Sequence, residues 1–110
     1  MKTAFITRHA PTEGQLKLAA AWQDNEGRPM DLVTVGDMDA FQLNLADRMR
    51  ALLADGFEAV CCVHPMTALT ALACGLFVVI FENANRAAEG EKPQFEATDV
   101  HVVFNIDDLL

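Results

Sequence analysis

The sequence predicts an α/β fold with a mostly parallel sheet of about five strands flanked by helices. Short apolar runs with the length of buried strands alternate along the chain with segments of helical periodicity. This alternation is typical of parallel sheets whose crossover connections are right-handed. The length fits one domain, so we expect residues 1–110 to form a single Rossmann-like, three-layer domain.

Each predicted element carries a local signal for where it begins or ends. Thr12 is a suitable N-cap for the first helix, and Gly56 and Gly75 are suitable residues to end the second and third helices. The predicted elements are, in order, a strand at 2–7, a helix at 12–24, a strand at 31–35, a helix that follows residues 36–39 and ends near 55, a strand at 57–63, a helix at 66–74, a strand at 76–81 and a strand within 99–106.

Between the last two predicted strands, residues 82–98 are polar and include Gly90 and Pro93. This segment predicts a long arm or loop, and a connection of this length in a compact domain suggests a role in function or in binding a partner. The last strand is expected at an edge of the sheet or paired across a dimer.

Two of the predicted strands end in a histidine that is followed by a threonine. Arg8, His9 and Thr12 follow the first strand, and His64 and Thr67 follow the third. In an open α/β sheet, ligands bind at the carboxyl ends of the strands where the strand order reverses. A common order, 2-1-3-4 with the last strand at an edge, puts strands 1 and 3 side by side. We therefore expect these residues to face one another across one crevice.

The composition restricts the partners of the chain. The formal net charge is −8, with 16 acidic residues against 8 basic ones, which argues against long duplex DNA or RNA. A small anionic ligand needs only a local pocket of cations and backbone N–H groups. Hydrophobic residues make up 52% of the chain, which is high for a small domain, so we expect some of them to face a second subunit in a homodimer.

The sequence also predicts a cytoplasmic protein without a metal site or cofactor. The first residues become polar at Thr7, too early for a signal peptide, and the apolar run at 68–81 is shorter than the ~20 residues of a membrane span. Cys61, Cys62 and Cys74 lie in apolar segments without metal-ligand spacing, which indicates buried thiols in a reducing compartment. His101 lies within an apolar strand and is expected to be a structural or edge residue.

Motifs along the whole chain resemble those of small stand-alone CRISPR-associated proteins related to the CARF domain. These are the turn and helix start HAPTEGQL at 9–16, the turn and apolar helix HPMTALTA at 64–71, the strand that opens with Gly75-Leu76, an arm containing Arg86 and Glu89, and the final HVVF at 101–104. Several members of that group are ring nucleases, which cut cyclic oligoadenylate second messengers in antiviral defence.

The resemblance implies a metal-independent reaction in which a ribose 2′-OH attacks the adjacent phosphorus. It implies that His9 or His64 acts as general acid or base, and that Arg8 pairs with a phosphate. The remaining residues that the resemblance implies for substrate binding are Thr7, Thr12, Thr67, Asn83, Asn85 and Arg86. A symmetric cyclic ligand would lie on the two-fold axis of a dimer.

Two other functions stay open. One is that of a nucleotide-binding sensor or sponge that does not cleave its ligand. The segments TRHAPTE at 7–13 and VCCVHPMTAL at 60–69 also resemble histidine phosphatases, which would make His9 the phosphorylated nucleophile and give Arg8 and His64 the phosphoryl group to hold. That resemblance does not extend to the long middle section of those enzymes, for which residues 10–63 are too short.

Overall fold

The computed structural model describes residues 1–7, 9–36 and 44–109, except for the side chain of Leu109. The elements are β1 (Lys2–Phe5), α1 (Glu13–Ala21), β2 (Asp31–Thr34), α2 (Leu45–Ala54), β3 (Ala59–Cys61), α3 (Pro65–Ala73), β4 (Phe77–Asn85), β5 (Phe95–Val103) and a 3₁₀ turn (Ile106–Leu109). The predicted α/β class is confirmed. The predicted start of the second helix falls on residues 37–43 and lies outside the described residues, as does Arg8.

The sheet has the strand order β2-β1-β3-β4-β5. β1 pairs in parallel with both β2 and β3, β3 pairs in parallel with β4, and β5 runs antiparallel to β4 at the edge. This is the predicted order, 2-1-3-4 with the last strand at an edge. The order reverses between β1 and β3, so the switch point lies between these two strands.

Helices cover both faces of the sheet because successive strand residues point to opposite sides. On one face, α2 and α3 pack on a cluster that includes Ala4, Val60 and Val78. On the other face, Ala19 of α1 packs in a cluster with Ala59 and Val79. Each strand thus contributes apolar side chains to two cores, which explains the continuous apolar runs of β3 and of residues 77–81 in β4.

Helix α1 crosses its face of the sheet from the β5 edge to the β2 edge. At its start, a Cβ built on Gly14 would lie 3.8 Å from the Cβ of Ala97 in β5. Near its end, the carbonyl of Ala19 accepts a hydrogen bond from the N–H of Met30, just before β2, at 3.1 Å. The connection after β1 therefore leads from the middle of the sheet to the β5 edge before the helix begins.

The segment predicted as an arm or loop at 82–98 is mostly a β-hairpin. Residues 82–85 extend β4, residues 95–98 belong to β5, and the connection is confined to 86–94. A register shift between Glu82 and Asn83 leaves Thr98 as the extra residue, which is a β-bulge on β5. Polar residues form these strand ends because antiparallel pairing satisfies their backbone groups without a core. No helix in the described part of the chain is long and apolar enough to cross a membrane.

Candidate ligand-binding site at the switch point

The turns that follow β1 and β3 leave the sheet at the same edge. Phe5 at the end of β1 pairs with Cys61 at the end of β3, and both strands run in the same direction. Adjacent strands lie only ~4.8 Å apart, so the two turns start as direct neighbours. The strand order thus brings the two histidine-containing turns to one edge, as the sequence predicts, at the place where open α/β sheets bind their ligands.

In the turn after β3, His64 is the N-cap of α3. Its Nδ1 accepts a hydrogen bond from the backbone N–H of Met66 at 3.1 Å. A neutral imidazole that accepts at Nδ1 carries its proton at Nε2, so this bond selects the tautomer that donates from Nε2. Pro65 follows at the first helical position, where its missing N–H costs nothing. Thr67 is 2% exposed and belongs to the core side of the helix.

This arrangement changes what the start of α3 offers to an anion. A helix start attracts phosphate through its unpaired backbone N–H groups. Here Pro65 has no N–H, and the N–H of Met66 is occupied by His64. The imidazole of His64 therefore takes the place of part of the backbone donor set that the start of a helix usually offers.

The turn after β1 is longer, and its His9 is exposed, as is His64 in the other turn. The Thr7 hydroxyl donates to the carbonyl of His9 at 3.0 Å, while the His9 side chain itself is exposed. Thr12 caps α1: its hydroxyl accepts from the N–H of Gln15 at 3.2 Å, and its own N–H donates to the Gln15 side chain at 3.0 Å. This reciprocal capping box confirms Thr12 as the predicted N-cap. The exposed His9 side chain is accessible to a ligand.

The three predicted binding residues of the arm lie in the hairpin and each has a partner within it. The Asn85 side-chain oxygen accepts from the N–H groups of Ala87 and Gln94, both at 3.0 Å, and so holds the turn together. Arg86 pairs with Glu96 at 3.0 Å. The Asn83 amide donates to the carbonyl of Phe81 at 3.4 Å. These contacts give the three side chains structural roles on the hairpin.

The start of α1 lies against the hairpin and so brings the first turn close to it. Asn83 lies opposite Ala97 in the β4–β5 register, and Ala97 is the residue beside Gly14 at the start of α1. The capped start of α1 therefore lies against the Asn83 rung of the hairpin. The connection from β1, with His9, ends close to this part of the arm.

A cavity of about 390 Å³ adjoins the second turn, and the sequence analysis did not predict it. Val63 beside it is 84% exposed, although the sequence suggests the end of a buried strand. The sequence does carry a signal for this cavity: its apolar run continues to Val63, two residues past the end of β3. The cavity is lined by Cys62, Val63, His64, Pro65, Ala68, Leu69 and Ile80. It is an apolar recess with one imidazole at its wall, which suits a flat, partly apolar ligand group.

The cysteines near this cavity are not nucleophiles. Burial raises the pKa of the Cys62 thiol to about 12, and burial followed by the neighbouring Cys62 raises that of Cys61 to about 12. Both thiols therefore stay protonated at neutral pH, and only thiolates react readily. All three cysteines are free; Cys61 and Cys62 are buried as predicted, whereas Cys74 is half-buried.

No family model matches this chain, and neither the curated proteins nor the solved structures include a significant match. The class of protein is therefore described from the fold and the site alone. The molecule is a Rossmann-like α/β domain with two histidine-containing turns at its switch point and an apolar cavity beside one of them.

Proposed function

We propose that this chain is a ring-nuclease-like protein of CRISPR defence that binds cyclic oligoadenylate and cleaves it without a metal ion. The observation that carries the proposal is the strand order, which brings the turns of His9 and His64 to one edge of the sheet beside an apolar cavity. A phosphodiester with an attached purine needs both parts: polar groups for the phosphate and an apolar recess for the base. The net charge of −8 favours such a small ligand over long nucleic acid.

The proposed reaction is a transesterification within the ligand. The ribose 2′-oxygen forms a bond to the adjacent phosphorus as the bond from phosphorus to the 5′-oxygen breaks, which leaves a 2′,3′-cyclic phosphate and a 5′-hydroxyl. One group must accept the 2′-OH proton, and another must protonate the leaving oxygen. His9 is exposed and suits acceptance of the 2′-OH proton, and the Nε2–H of His64 suits donation to the phosphoryl group and protonation of the leaving 5′-oxygen. The resemblance adds Arg8, which lies outside the described residues, as a cation for the phosphate.

We further propose that the protein acts in the cytoplasm as a homodimer. Two exposed apolar residues line the cavity, Val63 (84%) and Leu69 (39%), and a third, Met66 (52%), lies in the same helix as Leu69. A second subunit that covers them would close the cavity and place two copies of the site around one symmetric ring. The free cysteines fit a reducing compartment.

The decisive experiment incubates the purified protein with cyclic tetra- and hexa-adenylate in EDTA and separates the products by chromatography. We expect linear products ending in a cyclic phosphate. His9→Ala should lower the rate by on the order of 10² to 10⁴, the usual contribution of a general acid or base. His64→Asn, which retains an N-cap acceptor, tests the imidazole of His64 without loosening α3. Arg50→Ala is the control, since it removes an exposed side chain from α2, which carries none of the proposed site residues.

The other outcomes assign the alternatives. Tight binding of the ring without cleavage would replace the nuclease by a sensor or sponge. Hydrolysis of a phosphomonoester that is lost in His9→Ala would indicate the histidine-phosphatase chemistry. A protein that neither binds the rings nor hydrolyses a phosphomonoester would refute the proposal.

A further inference from the structure

Three metal-ligating side chains meet on the hairpin, away from the two turns. The Nε2 atom of His101 lies 3.2 Å from a carboxylate oxygen of Glu82 and 3.9 Å from one of Asp99. One ligand atom from each residue lies within 4.8 Å of the other two. Glu82 is on β4, and Asp99 and His101 are on β5, so the group joins two strands.

The strand register fixes this arrangement. Glu82 pairs directly with Asp99, and Ile80 pairs with His101. Because alternate strand residues share a face, all three polar side chains project from the same side of the sheet. The β-bulge at Thr98 follows immediately, and bulges are used to redirect side chains at functional sites. The cluster therefore depends on backbone pairing and not on chance contacts of long side chains.

The two carboxylates of this cluster face each other at an electrostatic cost. Like charges directly opposite on adjacent strands destabilise a sheet. Arg86, on the same hairpin, pairs with Glu96 instead of with this pair. His101 adds a compensating charge only while it is protonated. A bound divalent cation would offset both carboxylates and use the neutral imidazole as a ligand.

We propose that Glu82, Asp99 and His101 form a binding site for a divalent transition-metal ion, with Zn²⁺ as the best match. One imidazole nitrogen and two carboxylate oxygens suit zinc, whereas Mg²⁺ and Ca²⁺ prefer oxygen ligands alone. In a tetrahedral zinc site with bonds of about 2.0–2.1 Å, ligand atoms are ~3.4 Å apart. The separation of 3.2 Å between Nε2 and Glu82 is close to this value, and the 3.9 Å between Nε2 and Asp99 is about 0.5 Å longer, which a small side-chain movement would close.

A second contact orients one of the carboxylates. The other oxygen of Asp99 accepts a hydrogen bond from the backbone N–H of Val100 at 2.8 Å. Such outer contacts hold metal ligands in place, and they are a regular part of metal sites. The oxygen of Asp99 that faces His101 is thus presented by a fixed carboxylate.

The proposed metal site adjoins the apolar cavity. Ile80 lines the cavity and is the residue directly opposite His101. Three protein ligands leave one coordination position open for water or an anionic oxygen, as in zinc sites that bind ligands. A ligand with an apolar group in the cavity and an anionic oxygen on the metal would contact both. This inference is independent of the metal-free reaction proposed above.

The test titrates Zn²⁺ into protein freed of any affinity tag, in the presence of a non-thiol reductant, and follows binding by calorimetry. We expect one ion per chain. His101→Ala and Glu82→Gln should each weaken binding by about 100-fold, since outer-contact changes alone cost 10 to 100-fold. Controls of the same chemistry are His9→Ala for the imidazole and Glu96→Gln for a carboxylate of the same hairpin; both should bind zinc as the unchanged protein does.

Co²⁺ serves as a second probe because its absorption spectrum reports the ligands. An oxygen and nitrogen set gives d–d bands without a thiolate charge-transfer band, which excludes Cys61, Cys62 and Cys74. Circular dichroism of each variant confirms that the fold is kept. Absence of zinc binding, binding that survives both Glu82→Gln and His101→Ala, or a thiolate band would each overturn the proposal. The cluster would then be an ion pair of His101 with its two carboxylates.

Discussion

After β3 the chain enters α3 almost at once, with His64 as the helix cap and Thr67 buried one turn later. After β1 it takes residues 6–12 to reach α1, and His9 lies exposed within that connection. The two turns have similar residues, but their histidines have different surroundings. Both imidazoles are exposed, but one is held by a backbone N–H, whereas the other lies on a longer connection.

The difference follows from where each helix packs. Helix α3 places Thr67, Ala68 and Ala71 in the core and lies close to the end of β3. Helix α1 places Ala19 there and begins beside β5, so its connection must cross the edge of the sheet. A pair of turns built in this way provides one fixed donor and one adaptable side chain. This division suits a site in which one group positions a ligand and the other transfers a proton.

The largest expected effect tests how closely α3 is packed. Ala71 is 0% exposed, so Ala71→Leu inserts additional carbon atoms into a filled core and should lower the free energy of unfolding by about 1–3 kcal/mol. Ala20→Leu is the matched change on the exposed side of α1, and its effect should stay within about 0.5 kcal/mol. Urea denaturation measures both. Equal losses in the two variants would show that Ala71 is no more closely packed than an exposed position, which would contradict its place in the core.

The pH dependence of stability distinguishes the end of β3 from the end of β1. Cys61 ends β3 and Cys62 follows it, whereas no thiol lies at the end of β1. The pKa of each thiol rises from the ordinary 9.0 to about 12 in the folded chain, mainly through burial. Stability is therefore complete below about pH 9 and is lost as the pH rises toward 12. At pH 10, each thiol should lower the free energy of unfolding by about 1.4 kcal/mol.

The measurement compares urea denaturation at pH 8 and pH 10. Cys62→Ala changes the free energy of unfolding at both pH values. The decrease between pH 8 and pH 10 should nevertheless be smaller by the contribution of one thiol, about 1.4 kcal/mol. The chain has no tyrosine, so no phenol titrates in this pH range. A drop that is unchanged in Cys62→Ala would contradict the assigned burial effect.

The sequence was sufficient for the sheet because its signals are local. Apolar runs, glycine stops and a threonine cap identify strands and helices, and the common strand order then places β1 beside β3. The path of α1 was not predictable in this way. The contact between Gly14 and Ala97 joins residues far apart in the chain, and no local pattern indicates it. The accessible position of His9 depends on that path.

The hairpin and the cavity were missed for a related reason. Residues 82–85 and 95–98 are polar and lack the apolar character of a buried strand, yet cross-strand backbone pairing makes them regular. The cavity is lined by residues such as Val63 and Leu69, which look like core residues in sequence and lie exposed in the fold. Both features depend on pairing or packing that only the three-dimensional arrangement determines.

The smallest expected effect compares the two helix caps directly. Thr12→Ala removes the hydroxyl that accepts from the Gln15 N–H at 3.2 Å, which is one half of the capping box. This should lower the free energy of unfolding by about 1 kcal/mol. His64→Ala removes the acceptor for Met66 N–H and should cost less, about 0.5 kcal/mol, since Pro65 still favours the helix start. His64→Asn supplies a preferred N-cap and should restore the loss. Thermal denaturation measures all three variants. If His64→Asn is no more stable than His64→Ala, the imidazole stabilises this turn through something other than its bond to Met66, and the view of His64 as a fixed cap would have to be abandoned.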